Sequence, residues 1–114
     1  MNGTYLRFYM HENVKHRHRL LYEWLLEHAK ALGVHGGTAF RAVAGFGHHG
    51  VLHEQHFFEL AGDLTIEVEF VVTDEMSDRL LDSLRAEDLN LVYAKIPAEF
   101  GVIGKRAKKN GDPS

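Results

Sequence analysis

Apolar and polar positions alternate over residues 5–10. Leu6, Phe8 and Met10 share one face, and Tyr5, Arg7 and Tyr9 share the other. A period of two is that of a strand. Residues 11–18 are polar and basic and read as a loop running into a helix. Over residues 19–32 the period lengthens: Leu21, Trp24, Leu25, His28 and Leu32 fall on one helical stripe with Leu20 at its edge, and Glu23, Glu27 and Lys30 point away. Trp24 at this spacing reads as core. Gly33 ends the helix because glycine accepts the left-handed conformation of a C-terminal stop.

Residues 38–44 read as a second strand of small and apolar residues, interrupted by Arg41. A stretch of glycine and histidine follows at 45–53. Residues 56–60 are apolar again, and Gly62-Asp63 reads as a bulge or tight bend. Residues 64–72 carry the clearest alternation: Leu64, Ile66, Val68, Phe70 and Val72 on one face, Thr65, Glu67 and Glu69 on the other. Thr73 or Asp74 caps a second helix, with Met76, Leu80, Leu81 and Leu84 as its apolar stripe. Residues 91–96 form a fourth strand that Pro97 stops. Residues 98–103 are a candidate short added strand. The order β-α-β-β-α-β predicts an α+β, ferredoxin-like split βαβ arrangement with both helices on one sheet face. The other face carries Tyr5, Arg7, Tyr9, Glu67, Glu69 and Val71. Residues 1–103 are expected to form a single domain and residues 104–114 a basic, flexible tail.

Composition narrows the function classes. The chain of 114 residues has a net charge of -3 with histidine neutral, which argues against non-specific nucleic-acid binding. It has no cysteine, so disulfides and thiolate metal sites are excluded. No stretch is long and apolar enough for membrane insertion and no signal-peptide core is seen, so a cytoplasmic protein is expected. Nine histidines make the charge sensitive to pH near neutrality.

The chemistry concentrates at Gly45-Phe46-Gly47-His48-His49-Gly50. Gly45-x-Gly47-x-x-Gly50 formally matches the dinucleotide fingerprint, but residues 51–60 lack the helical stripe that fingerprint requires. Its glycines can still expose backbone N–H groups to an anion. On a strand, His49 and His53 share a face, as do His48 and His56. Such a nitrogen-rich set suits zinc, copper or nickel, and a solvated polar loop is the competing reading. Arg41 either pairs with Glu67 or Glu69 across the hairpin or clamps an anion at the base of the glycine stretch. Lys105, Arg106, Lys108 and Lys109 are either a solvated tail or, in Lys105 and Arg106, a lid that closes on a phosphate. No nucleophile with a partnered base is visible, so no enzymatic activity is expected.

Leu6-Arg7-Phe8-Tyr9, Leu21-Tyr22-Glu23, Gly37-Thr38-Ala39-Phe40-Arg41, Gly45-Phe46-Gly47, His53 and Asp63-Leu64 occur in an order that resembles the domain-of-unknown-function 190 family, a branch similar to the PII-like signalling proteins. The resemblance covers residues 4–98. It implies a ferredoxin-like subunit, a homotrimer with its sheets lining the interior, and a small anionic metabolite, typically an adenine nucleotide, in clefts between subunits. It also implies that the loop between the second and third strands engages a protein target such as a transporter or enzyme. Arg41, Gly45, Phe46, Gly47, Gly50, Lys105 and Arg106 are then the expected ligand contacts. His48, His49, His53 and His56 keep a divalent metal as the alternative.

Overall fold

The structure is a computed structural model, and it describes residues 1–46 and 64–104. In chain order its elements are β1 (Asn2–His11), β2 (Lys15–His16), β3 (Arg19–Leu20), α1 (Leu21–Leu32), β4 (Thr38–Arg41), β5 (Thr65–Thr73), α2 (Asp74–Arg85) and β6 (Val92–Glu99). Four strands form one antiparallel sheet in the order β4-β5-β1-β6. β1 lies inside the sheet, pairing Arg7 with Glu69 of β5 and with Ala94 of β6. The ferredoxin-like arrangement expected from the sequence is therefore present. No two neighbouring strands of this sheet are parallel, so it is not the open parallel sheet that the dinucleotide fingerprint belongs to.

Alternation decides which side chains enter the core. Leu6, Phe8, Met10, Ile66, Val68, Phe70 and Val72 point from the sheet towards the helices. Leu21, Leu25 and Ala29 of α1 and Leu80, Leu81 and Leu84 of α2 meet them. Each large side chain buried here contributes about 1.5–3 kcal/mol of hydrophobic stabilisation. Phe8 and Phe70 meet edge to face, with centroids 6.0 Å apart.

The helix ends follow local chemistry. α1 stops at Gly33, at φ 114°, where the Gly33 and Val34 N–H groups satisfy the carbonyls of Lys30 and Ala29. α2 starts at Thr73, whose hydroxyl accepts from the Met76 N–H at 3.2 Å. Asp74 and Glu75 lie in its first turn and Arg85 in its last, as the helix dipole favours.

Five local expectations need correction. Trp24 is half-buried at the rim of the core, because a helix packed on one sheet leaves the edge of its apolar stripe at the surface. Pro97 does not stop the last strand; β6 runs to Glu99. β6 is an edge strand, where a missing N–H need not break a ladder bond. Ala98 and Glu99 continue that strand, and residues 100–104 add none. β4 ends at Arg41, short of Ala44. Residues 11–18 are more than a loop: His11 completes β1, and β2 and β3 form a small hairpin turning at Arg17 and His18 with φ of 53° and 67°. Two positive φ values are what a tight hairpin turn requires, but Arg-His is not its usual sequence, which is why the pattern hid it.

Candidate functional site

The topology gathers three connections at one end of the sheet: the segment leaving β1, the segment between β4 and β5, and the segment entering β6. The root of the β4–β5 connection is closed by backbone bonds. Ala42 N–H donates to the Thr65 carbonyl and Glu12 N–H to the Leu64 carbonyl, both at 2.8 Å. Arg41 stands at this root, its Nε donating to Glu12 Oε1 at 2.8 Å, with 58% of its side chain exposed. The expected pairing of Arg41 with Glu67 or Glu69 does not form. Arg41 is in register with Ile66, so it points to the helix side of the sheet, opposite to both glutamates.

Gly45 is half-buried and Phe46 is exposed. Gly47, Gly50, His48, His49, His53, His56, Lys105 and Arg106, together with the expected Gly62-Asp63 bend and most of the basic tail, lie outside the described residues. Among the described residues there is no group of three or more His, Cys, Asp or Glu suited to a metal ion. β6 leads away from the Arg41 end: Val92 pairs with Tyr9 and Glu99 with Asn2. Its 8 residues carry the chain roughly 25 Å at about 3.3 Å per residue. A cleft of about 610 Å³ opens at that far end, lined by Asn2, Thr4, Asp74, Lys95, Pro97 and Glu99 among others, and in it the Thr4 hydroxyl donates to Asp74 Oδ1 at 2.7 Å.

A polar cluster near the Arg41 end escaped sequence reasoning. Glu87, in the segment after α2, accepts from His16 Nε2 at 3.0 Å and from Arg17 Nε at 3.1 Å. The bond from His16, helped by Arg17, holds the Glu87 carboxyl below its ordinary range. His16 meets the edge of Trp24 at 4.5 Å, and His28 stacks on Trp24 at 4.6 Å and 18°. Ser83 donates its single proton to the Leu80 carbonyl at 2.8 Å. The 2.7 Å contact between His28 Nε2 and Ser83 Oγ therefore has the imidazole as donor. That polarity leaves Ser83 without the proton acceptor a nucleophile needs. Burial pushes the His28 pKa down, against the opposing pull of Glu87. These contacts pin the turn to α1 and to the segment that follows α2. No spacing in the sequence announces them, because their residues come from four separate segments: the hairpin, α1, α2 and the stretch after α2.

The sheet face away from the helices is the one the alternation placed there. Arg7 lies between two carboxylates, with Nε 3.3 Å from Glu67 and 3.7 Å from Glu69. Its guanidinium sits 4.8 Å above the Tyr5 ring. Hydrogen bonding within the carboxylate pair raises Glu67 and lowers Glu69. Around this charged centre Phe40, Val71, Val92 and Ile96 are exposed.

The fold defines a class, a ferredoxin-like α+β chain, and it is shared with solved PII-like proteins. A chain from Thermus thermophilus classed as a PII-like signaling protein superposes with a TM-score of 0.57 at 22% identity, covering 85% of this chain and 87% of that one. The apo form of CPII from Thiomonas intermedia K12, a nitrogen regulatory PII-like protein, superposes at 0.53 and 19% identity, covering 86% and 90%. CPII bound to ADP, AMP and bicarbonate does so at 0.50 and 20%, covering 86% and 89%. At these identities the likeness is one of fold. The DUF190 family profile, described as Uncharacterized ACR, matches residues 3–89. A UPF0166 protein of Aquifex aeolicus is 31% identical over 96 residues, covering 77% of this chain and 91% of the relative. The UPF0166 protein MJ1524 of Methanocaldococcus jannaschii is 30% identical over 79 residues, covering 69% and 72%. The chain belongs to the DUF190 family.

Proposed function

We propose that this protein is a non-enzymatic, cytoplasmic PII-like regulatory module. It assembles as a homotrimer through the open sheet face and binds a small anionic metabolite, an adenine nucleotide, in the clefts between subunits. The observation that carries the reading is the place of Arg41: an exposed guanidinium anchored by Glu12 at the closed root of the β4–β5 connection. A guanidinium held this way offers phosphate a fixed, forked set of donors. The glycines at 45, 47 and 50 let an anion approach the backbone. Lys105 and Arg106 of the basic C-terminal segment are further cations for the anion. The adenine nucleotides bound to the Thiomonas protein of like fold favour this ligand class.

No chemistry on the ligand is required. Binding at Arg41 shifts the population of conformations of the connection that starts there, and a target protein such as a transporter or enzyme reads the change. Calorimetry with AMP, ADP, ATP and a cyclic adenine nucleotide, with and without bicarbonate, tests the ligand class. Saturable heat from at least one is expected, and no heat from any removes the nucleotide claim. Light scattering tests assembly separately: a trimer mass is expected, and a monomer would sink the cleft.

A further inference from the structure

The open sheet face carries a charge imbalance with a consequence for assembly. Its centre holds one guanidinium, Arg7, and two carboxylates, Glu67 and Glu69. These three side chains are already partly shielded, at 35%, 26% and 19% exposure. Arg7 Nε is buried and makes no hydrogen bond among the described residues. Among the described residues, the other titratable groups on the face belong to β1: Tyr5, Tyr9 and His11. β4 contributes Thr38 and Phe40 there, and β6 contributes Val92, Ala94, Ile96 and Ala98; none of these titrates. The exposed apolar residues Phe40, Val71, Val92 and Ile96 come from β4, β5 and β6, so the covering surface must be broad. The face carries both a cation and anions, which makes it self-complementary, and the occupant we assign is a second copy of the chain, in keeping with the assembly proposed above.

Symmetry cannot cancel the imbalance. Among the described residues every added copy brings one guanidinium and two carboxylates to the centre of this face, so each subunit buries one carboxylate in excess, whatever the rotation order. An uncompensated carboxylate is strongly disfavoured away from water, whereas protonating it costs about tenfold in equilibrium per pH unit above its pKa. We infer that association through this face takes up a proton on each subunit, held between Glu67 and Glu69, so that rising pH drives the subunits apart. The residual ion pair, Arg7 with Glu69, is then neutral overall. Both carboxylates approach the same Arg7 Nε, at 3.3 Å and 3.7 Å, which gathers the pair where one proton can be shared. This inference rests on sheet-to-sheet assembly, and the experiment separates the two.

The oligomer is diluted from about pH 6 to about pH 9 and its mass followed by light scattering, for the parent chain, Glu67→Gln and His11→Gln. The association constant of the parent should fall by up to about tenfold per proton per pH unit. His11→Gln should behave like the parent, and Glu67→Gln should associate more tightly with a flat pH response. Infrared spectroscopy reads the same proton however tight the oligomer is: a protonated carboxyl band should persist in the assembled parent above neutral pH and vanish in Glu67→Gln. A monomer at every pH overturns the assembly reading. A stable oligomer without that band, or a Glu67→Gln variant as pH-dependent as the parent, overturns the proton uptake alone.

Discussion

The Arg41 guanidinium reaches Glu12 Oε1 at 2.8 Å across the root of the β4–β5 connection, joining the end of β4 to the residue that follows β1. Glu12 is the more buried partner, at 17% exposure against 58%. The pair therefore fixes the position of the cation while leaving much of it to solvent. An exposed pair of this kind contributes up to about 1 kcal/mol to stability, while a charged hydrogen bond to a ligand is worth about 1.5–3 kcal/mol. Arg41→Ala should weaken adenine-nucleotide binding about tenfold or more, with little change in the thermal midpoint. Glu12→Gln keeps the geometry, removes a competing anion and should tighten binding. Calorimetry on both variants checks this; an Arg41→Ala protein with parental affinity would show that Arg41 does not hold the ligand.

His28 gives the fold a pH dependence of definite sign. Burial lowers its pKa from the ordinary value of 6.5. Between the lowered folded pKa and the unfolded one, the unfolded chain binds more protons, so stability rises with pH. The stabilising contribution is fully present above about pH 6.5 and is lost as the pH falls through the folded pKa. Urea unfolding, read by the fluorescence of Trp24 beside His28, should show the midpoint dropping on acidification. His28→Gln can still donate to Ser83 and should flatten that part of the curve. An equally steep fall in the variant would assign it to other groups, such as Glu87, whose lowered pKa acts in the same direction.

Two glycines separate packing constraint from open space. A Cβ on Gly3 would run into the Val72 carbonyl oxygen and the Phe100 ring, whereas one on Gly36 meets nothing within 4 Å among the described residues. Gly3→Ala must push backbone apart at a strand pairing and should cost about 1–3 kcal/mol or more. Gly36→Ala should be within about 0.5 kcal/mol of the parent or slightly stabilising. Chemical denaturation of the two variants decides, and equal midpoints would contradict the packing described.

Ser77 is fully buried on the core side of α2, and its hydroxyl has no hydrogen-bond partner among the described residues. A desolvated hydroxyl without a partner costs about 1–3 kcal/mol. Ser77→Ala should therefore raise the unfolding midpoint. Thr73→Ala removes the α2 cap and should lower stability by about 1 kcal/mol. A clear loss of stability in Ser77→Ala would reveal a bond that the described residues do not supply.

What the sequence by itself determined is what depends on local period and capping. The alternation at residues 5–10 and 64–72 identified both faces of β1 and β5, including the Arg7, Glu67 and Glu69 face. The stripes at Leu21–Leu25 and Leu80–Leu84 identified the helical sides that meet them. Gly33 and Thr73 marked a helix end and a helix start because each acts through its own backbone or side chain. The resemblance carried by Gly37-Thr38-Ala39-Phe40-Arg41 anticipated the family. Tertiary structure alone decided the rest. Arg41 could have faced either side of its strand, and the register with Ile66 sent it to Glu12 rather than to Glu67 or Glu69. Pro97 is tolerated because β6 became an edge. The His16, Trp24, His28 and Glu87 cluster exists because a hairpin, two helices and a connection converge there. Residues distant in sequence have no local period to report them, so their partnership is set by how the sheet orders its strands.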